Sequence, residues 1–395
     1  ILRLGKTYCK FTYKSKGGGI MGEAFLTRRG KNVKGDAEAS HVLAGKTFSS
    51  KVAGIGVTGT MPNRGAVVIT PSTQNQTIPA GYHNGSGYVK GDANLVAGNI
   101  KNGVNIFGVA GNLIPYSSVW IQRTNSFGSL NILDVAYDNN MWVAVGEDGK
   151  LATSTNGTTW TQRTSSFGTT HINSVAYGNN MFIAVGASGK LATSTNGTTW
   201  TQRTSSFGTS NIYDVVYDNN MWVAVGQSGK LATSTDGITW SQRTSSFDTT
   251  TINSVAYDNN MWVAVGEDGK LATSTNGTTW TQRTSSFGTT HINSVAYGNN
   301  MFIAVGASGK LATSTNGTTW TQRTSSFGTS NIYDVVYDNN MWVAVGQSGK
   351  LATSTDGITW SQRTSSFGTS AIYGVAYGNN TWVIVGYFGK LATLS

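Results

Sequence analysis

From residue 132 to residue 394 short apolar runs alternate with turns rich in Asn, Gly and Ser, and the alternation repeats every 40 residues. The unit that begins at Ile172 stands for all of them. Ile172 to Tyr177 (INSVAY) is a β-rich run, Asn179 and Asn180 supply a tight turn, and Met181 to Gly186 (MFIAVG) is a second run. Ala187 to Gly189 then turns into Lys190 to Ser194 (KLATS), and Asn196 with Gly197 turns into Thr199 to Thr204 (TWTQRT). Asn and Gly stand where a two-residue hairpin loop needs positive φ, so each unit predicts a four-stranded meander, A-B-C-D. No segment has helical periodicity. A unit of this length cannot bury both faces of its own small sheet and must stack on copies of itself, the sequence sign of a β-propeller blade.

Counting strands by type gives the number of blades. Strand A begins near Ile132, Ile172, Ile212, Ile252, Ile292, Ile332 and Ile372, so the A-B-C set occurs seven times. The first D strand, Val119 to Thr124 (VWIQRT), has no A-B-C before it, and the last A-B-C, ending at Leu394, has no D after it. The expected fold is therefore all-β: a seven-bladed propeller whose ring closes when Val119 to Thr124 becomes the outer strand of the last blade. Such closure leaves no unpaired junction at which the ring could open. Residues 135–247 are identical to residues 255–367, a three-blade cassette present twice. A propeller tolerates this because each blade contacts mainly its two neighbours.

The phrase STNGTTW or STDGITW spans Ser154 to Trp160 and recurs to Trp200, Trp240, Trp280, Trp320 and Trp360. It resembles the Asp-box of sialidase-like propellers in its shortened form, S-x-[DN]-G-x-T-W. The resemblance implies a folding device on the C-D hairpin, with a side-chain oxygen capping the turn and the Trp wedged between blades. Asp236 and Asp356 keep the acid, while Asn156, Asn196, Asn276 and Asn316 replace it. Calcium ligation or acid catalysis by the box is not expected of so many uncharged copies.

Sialidase chemistry needs arginines, a Tyr with a Glu beside it, and an acid gathered at the ring axis. Arg123, Arg163, Arg203, Arg243, Arg283, Arg323 and Arg363 all fall on strand D, the outermost, where local pairing at a solvated rim is expected. The repeated GxxGK, as at Gly186 to Lys190, lacks the length and the trailing Ser or Thr of a phosphate loop and lies on a β-turn. One cysteine, Cys9, excludes an internal disulfide, and His171 and His291, copies of each other, stand three blades apart. No catalytic residue, metal or cofactor is expected, and the chain reads as a non-enzyme.

The net charge of +10 lies wholly in residues 1–118, since from Val119 onward seven Lys and seven Arg balance fourteen acids. A basic stripe interleaved with aromatics is missing, so nucleic acid is not an expected partner. No run is long and apolar enough to span a membrane. Residues 1–20 (ILRLGKTYCKFTYKSKGGGI) differ in character from the rest and are expected to be a non-native or disordered leader, with translation starting at Met21.

Residues 21–118 form a second region of short β runs rich in Gly and Asn, in which LAGKTF and GVTGTM recur as VAGNIK and GVAGNL. Its turns are tight and its side chains too small for a large core. The phrases MGEAFLTRRG, VLAGKTF, GTMPNRG, IPAGYHNGSG and NIFGVAG resemble the N-terminal portion of tail fibre and tail-tip proteins of Firmicutes phages and prophages. That resemblance implies a tail-attachment module over 21–118 that engages other tail proteins, a propeller head over 119–395, and residence in a virion tail.

In an A-B-C-D meander the D-A loops and B-C turns open on one face, the A-B turns and Asp-boxes on the other. Across the copies the second face hardly changes, whereas the first varies at Glu147, Asp148, Gln227, Glu267, Asp268, Gln347 and Tyr387 in the B-C turns. It varies also at Asn131, His171, Asn211, His291 and Asn331 in the D-A loops, and at Tyr213 and Tyr333 at the start of strand A. Side chains free of packing duty on a rigid scaffold are where recognition is placed. Acids, amides and aromatics in shallow pockets suit sugars, so a bacterial surface polysaccharide is the expected ligand. A glycan-degrading tail enzyme and a structural tail-tip spacer are the alternatives.

Overall fold

The computed structural model describes residues 8–14, 20–27, 36–70, 77–83, 86, 88–89, 93–100, 104–110 and 119–394. The chain divides into two compact units, Ile1–Pro115 and Tyr116–Ser395.

The first unit consists of short paired strands. Tyr8–Lys14 pairs antiparallel with Ile20–Thr27, joining residues on both sides of Met21. The remainder of the expected leader, residues 1–7 and 15–19, lies outside the described residues. Thr47–Ser50 pairs antiparallel with Gly54–Thr58, and Asn105–Ile106 with Val109–Ala110. Asn63–Gly65 and Val68–Ile69 instead run parallel to Tyr82–His83 and Tyr88–Val89. Phe48 and Ile100 are buried, while Tyr82, Tyr88 and Phe107 stay exposed, as expected where strands are too short to stack over a broad core.

The second unit is a seven-bladed β-propeller, its sheets each made of four antiparallel strands. In blade 1 strand A is Ile132–Asp138, B is Met141–Gly146, C is Leu151–Ser154 and D is Thr161–Arg163. Blades 2 to 6 repeat this order, and each B-C connection is a single tight turn, Glu147–Gly149 in blade 1. The A-B turns are the Asn-Asn pairs, with φ of 46° and 59° at Asn179 and Asn180, the left-handed pair that matches strand twist in a two-residue hairpin.

Blade 7 takes A, B and C from Ile372–Gly378, Thr381–Gly386 and Leu391–Leu394, and its outer strand, Ile121–Gln122, from the start of the ring. Ile121 sits opposite Thr393 and Gln122 opposite Ala392. Arg123 donates from Nε to Thr393 Oγ1 at 2.8 Å, the bond that Arg163 makes to Thr153 at 2.9 Å inside blade 1. The closure and the local pairing of strand-D arginines are therefore as the repeat pattern predicts.

The core is divided among the interfaces between blades. Val143, Val145 and Leu151 of blade 1 pack on Phe167, Ile172, Phe182 and Trp200 at blade 2. At the seam Val383, Val385 and Leu391 of blade 7 pack on Trp142 and Trp160 of blade 1. Strand B carries a fully buried Trp142, Trp222, Trp262, Trp342 or Trp382, but Phe182 and Phe302 hold the same place in blades 2 and 5. The five indole N–H groups make no hydrogen bond within the protein. Trp142→Phe is accordingly expected to lower the unfolding free energy by less than about 1.5 kcal/mol, because the ring shape is already accommodated and no hydrogen bond is lost. Urea unfolding followed by tryptophan fluorescence checks this; a larger loss would mean that the blades are not interchangeable at this position.

Candidate functional site

The face carrying the B-C turns and D-A loops is built on close backbone approach. Gly149 has φ of 64°, and a Cβ there would lie 2.1 Å from the Gly168 carbonyl oxygen. Gly146 is extended, but its Cβ would lie 2.1 Å from the Asn131 oxygen. Both glycines of the GxxGK phrase thus let strand B and the turn press against a D-A loop. The lysine serves the same end: Lys190 Nζ donates to the Phe167 carbonyl at 2.7 Å, and Lys230 to Phe207 at 2.7 Å.

In blades 2, 3, 5 and 6 the side chain of the last D-A loop residue bonds the B-C turn of the preceding blade. His171 Nδ1 accepts the Asp148 N–H at 3.0 Å, and His291 the Asp268 N–H at 3.2 Å, which places the ring hydrogen on Nε2. Asn211 and Asn331 accept the Ser188 and Ser308 N–H groups through Oδ1, both at 3.0 Å. The turn residue that donates is left-handed, with φ of 50° at Asp148, so its N–H has no partner in its own ladder. Gln227 and Gln347 in turn accept the backbone N–H of Asn211 and Asn331 within their own blades. These varying amides and imidazoles are ties between loops as well as surface groups.

At the seam the pattern changes. Asn131 Oδ1 accepts the Phe388 N–H from blade 7 at 2.8 Å, while its own backbone N–H and Nδ2 donate to the two oxygens of Glu147 at 3.0 and 2.8 Å. Tyr387 and Phe388 project from the blade 7 turn with 48% and 59% of their surface exposed, their ring centroids 6.0 Å apart. At the starts of strand A in blades 6 and 7, the Tyr333 and Tyr373 rings lie 5.6 Å apart. Burial, then the neighbouring Tyr333, Glu147 and Tyr387, raise the Tyr373 phenol above its ordinary value. Blades 6, 7 and 1 thus gather four aromatic rings and a carboxylate that no other sector of the ring reproduces among the described residues.

A second constellation lies on the axis. Strands A surround a central channel of about 410 Å³, and Asp134, Asp214 and Asp334 line it where other blades carry Ser174, Ser254, Ser294 and Gly374. Each follows a β-bulge, with a register shift between Ile132 and Asp134 in blade 1. Asp134 Oδ1 accepts the Val135 N–H at 2.7 Å and Oδ2 the Val175 N–H of blade 2 at 2.9 Å. Asp214 and Asp334 tie Val255 and Val375 of the following blades in the same way. Burial pushes the Asp134 carboxyl up to about 7 and that of Asp334 up to about 6, and raises Asp214 as well. Among the described residues no group of three or more His, Cys, Asp or Glu is placed to hold a metal ion.

Residues 209–342 match the family described as the DUF6242 beta propeller domain. Among curated proteins none matches the sequence. The solved structures it resembles include YCF48 from Cyanidioschyzon merolae, at 19% identity and a TM-score of 0.55, covering 70% of this chain and 98% of that one. YCF48 bound to D1 peptide is similar at 21% identity and a TM-score of 0.56, over 71% of this chain and 94% of that one. A catalytically inactive virginiamycin B lyase from Staphylococcus aureus with quinupristin, at 9% identity, reaches 0.64 over 71% and 99% of the two chains. At these identities the likeness is one of fold.

On the opposite face the boxes are turn caps, as the phrase implies. Asn156 Oδ1 accepts the Thr158 and Thr159 N–H groups, both at 2.9 Å, and Trp160 Nε1 donates to the Gly157 carbonyl at 2.9 Å. Asp236 makes the corresponding bonds, and the Thr239 and Ile238 N–H groups hold its carboxyl down at about 2. Of the expected ligand residues, the structure brings Glu147, Asn131, Tyr333 and Tyr387 into one sector. Glu267 and Asp268, with His291, belong to blades 4 and 5, and Tyr213 stands in blade 3 beside Asn211. The sequence reading did not single out Tyr373, Asp134, Asp214 or Asp334; the departure of Tyr373 and Tyr333 from the Asn at the same place in blades 2, 4 and 5 was the available signal.

Proposed function

We propose that the propeller is a non-enzymatic binding head that recognises a bacterial cell-surface glycan through the face of B-C turns and D-A loops. In this reading it is the receptor-binding part of a phage or prophage tail, attached through residues 21–118 to other tail proteins. The observation that carries it is the concentration of blade-to-blade differences on that one face, ending in exposed Tyr387 and Phe388 beside Glu147. Exposed rings next to hydrogen-bonding groups offer a sugar both a stacking surface and polar partners. The tail setting is supported by the phrases of residues 21–118.

The similar folds include YCF48 bound to a peptide and a lyase with quinupristin, so the fold alone does not choose between binding and catalysis. One observation favours a glycan-degrading enzyme: the carboxyls of Asp134 and Asp334 lie near 7 and 6, a useful range for proton transfer. Both oxygens of each are nevertheless occupied by backbone N–H groups, which suits a structural tie better than a group in motion.

The test is binding of the labelled full chain to Gram-positive cells and their purified wall glycans, with the chain length of each glycan measured afterwards. Saturable binding without shortening, weakened when Glu147 and Asp148 are changed to Ala, is the expected result. Shortened glycans would establish the enzyme instead, and no binding to any strain would leave a structural spacer.

A further inference from the structure

The recognising face repeats, yet its chemistry does not. Where blade 7 meets blade 1, the turn residues are Tyr387 and Phe388 and the loop residue that ties them is Asn131. In blade 4 the cassette provides an identical Glu267, but Thr251 stands in place of Asn131, and the preceding turn carries Gln227 and Ser228. The two glutamates are thus sequence copies in different surroundings. Glu147 is held by two hydrogen bonds from Asn131, which is itself fixed by the Phe388 N–H. Each oxygen accepts one of these bonds and keeps a further lone pair. Among the described residues the one ion pair is Lys270 with Asp248, so the Glu147 charge is not neutralised by a neighbouring Lys or Arg.

A fixed, unneutralised carboxylate beside several aromatic rings has a definite preference. It repels phosphates and carboxylates. The ring faces attract cations through their quadrupoles, and the carboxylate adds a charge-assisted hydrogen bond to any N–H donor. An ammonium group satisfies both, and the sugar ring that bears it can stack on an exposed Tyr or Phe.

We propose that blades 6, 7 and 1 form a single site, made by Glu147, Tyr373, Tyr387 and Phe388, that takes the ammonium group of an amino sugar with a free amine. The proposal rests on the reading of this face as the glycan-binding one, and it gives that face one site per chain. Asn131 is a positioning residue in it.

The test is calorimetric titration of the full chain with a β-1,4-linked glucosamine tetramer and with its N-acetylated counterpart. The amine form is expected to bind with one site per chain, and the acetylated form at least about tenfold more weakly, since acetylation removes the charge. Glu147→Gln and Tyr387→Ala are each expected to weaken the amine form by about tenfold, while Glu267→Gln leaves it unchanged. Equal affinity for the two sugars, or equal loss in Glu267→Gln and Glu147→Gln, would overturn the site. Tyr387 is exposed and Glu147 and Glu267 are half-buried, and the thermal midpoint of each variant checks folding.

Binding of the same proteins to whole Gram-positive cells separates the two readings. Cell binding that ignores Glu147→Gln and Tyr387→Ala removes the site and leaves the binding head. Amine binding sensitive to both variants, by a protein that binds no cell, supports the site and removes the head. Binding of neither removes both.

Discussion

Trp120→Ala is expected to lower the unfolding free energy by about 3–5 kcal/mol, the usual range for truncating a fully packed aromatic. Trp120 is 4% exposed and packs with Val343, Val345 and Leu351 of blade 6 and with Phe367 and Trp382 at blade 7. It also anchors an outer strand that has only two residue pairs with its neighbour, Ile121 with Thr393 and Gln122 with Ala392. Without that anchor the strand detaches, and Leu391–Leu394 becomes an open edge able to pair with another chain. The comparison is Trp240→Ala, a half-buried copy in a blade whose four strands are continuous in sequence. Urea unfolding and light scattering should show a smaller loss for Trp240→Ala and association only for Trp120→Ala. If the two variants lose the same stability and both stay monomeric, the seam is no weaker than any other interface.

The second large effect is a loss of stability as pH rises. Asp134 and Asp334 are raised to about 7 and about 6 from 3.8, first by burial. A folded value above the unfolded one means that folding takes up protons. The contribution is complete below about pH 4 and disappears as pH rises through 6 to 7. At about 1.4 kcal/mol per pKa unit, Asp134 alone contributes up to roughly 4 kcal/mol, less what its contact with the channel lumen screens. Chemical denaturation at pH 5 and pH 8 is therefore expected to differ by a few kcal/mol, with the protein weaker at pH 8. Replacing Asp134, Asp214 and Asp334 by Ser should flatten most of the slope. Ser is a tolerated replacement because Ser254, at the same place in blade 4, accepts the Val295 N–H at 3.4 Å. A slope that survives the triple replacement would move the cause away from the axis.

Much of the propeller was legible because its determinants are local. Asn179 and Asn180 set a turn by their own φ, and Asn156 caps the hairpin two and three residues ahead of it. The missing fourth strand could be inferred by counting, since Val119 to Thr124 and Leu391 to Leu394 each lacked a partner. The site was legible only in part. Asn211 and Asn331 read as free surface amides, but the N–H groups they accept lie on the preceding blade, 23 residues earlier, a distance no local pattern covers. Asp134, Asp214 and Asp334 occupy a position that alternates with Ser, which in a lone strand reads as a solvated face. Only the assembly of seven strands A around one axis places it, half-buried, on the central channel. Tyr373 gave a local signal in its departure from Asn, yet its nearness to Glu147 follows from closing the ring.

The Asn131 to Phe388 bond has a consequence for when the molecule becomes whole. Every other tie of this kind joins one blade to the next and can form as soon as the later blade has been made. This one joins the first complete blade to the last, so it waits until synthesis has passed residue 388. A ribosome-bound chain can carry six well-formed blades and still lack both its outer clasp and the bond that fixes Asn131 beside Glu147. The link from the aromatic turn of blade 7 through Asn131 to Glu147 therefore marks a finished ring.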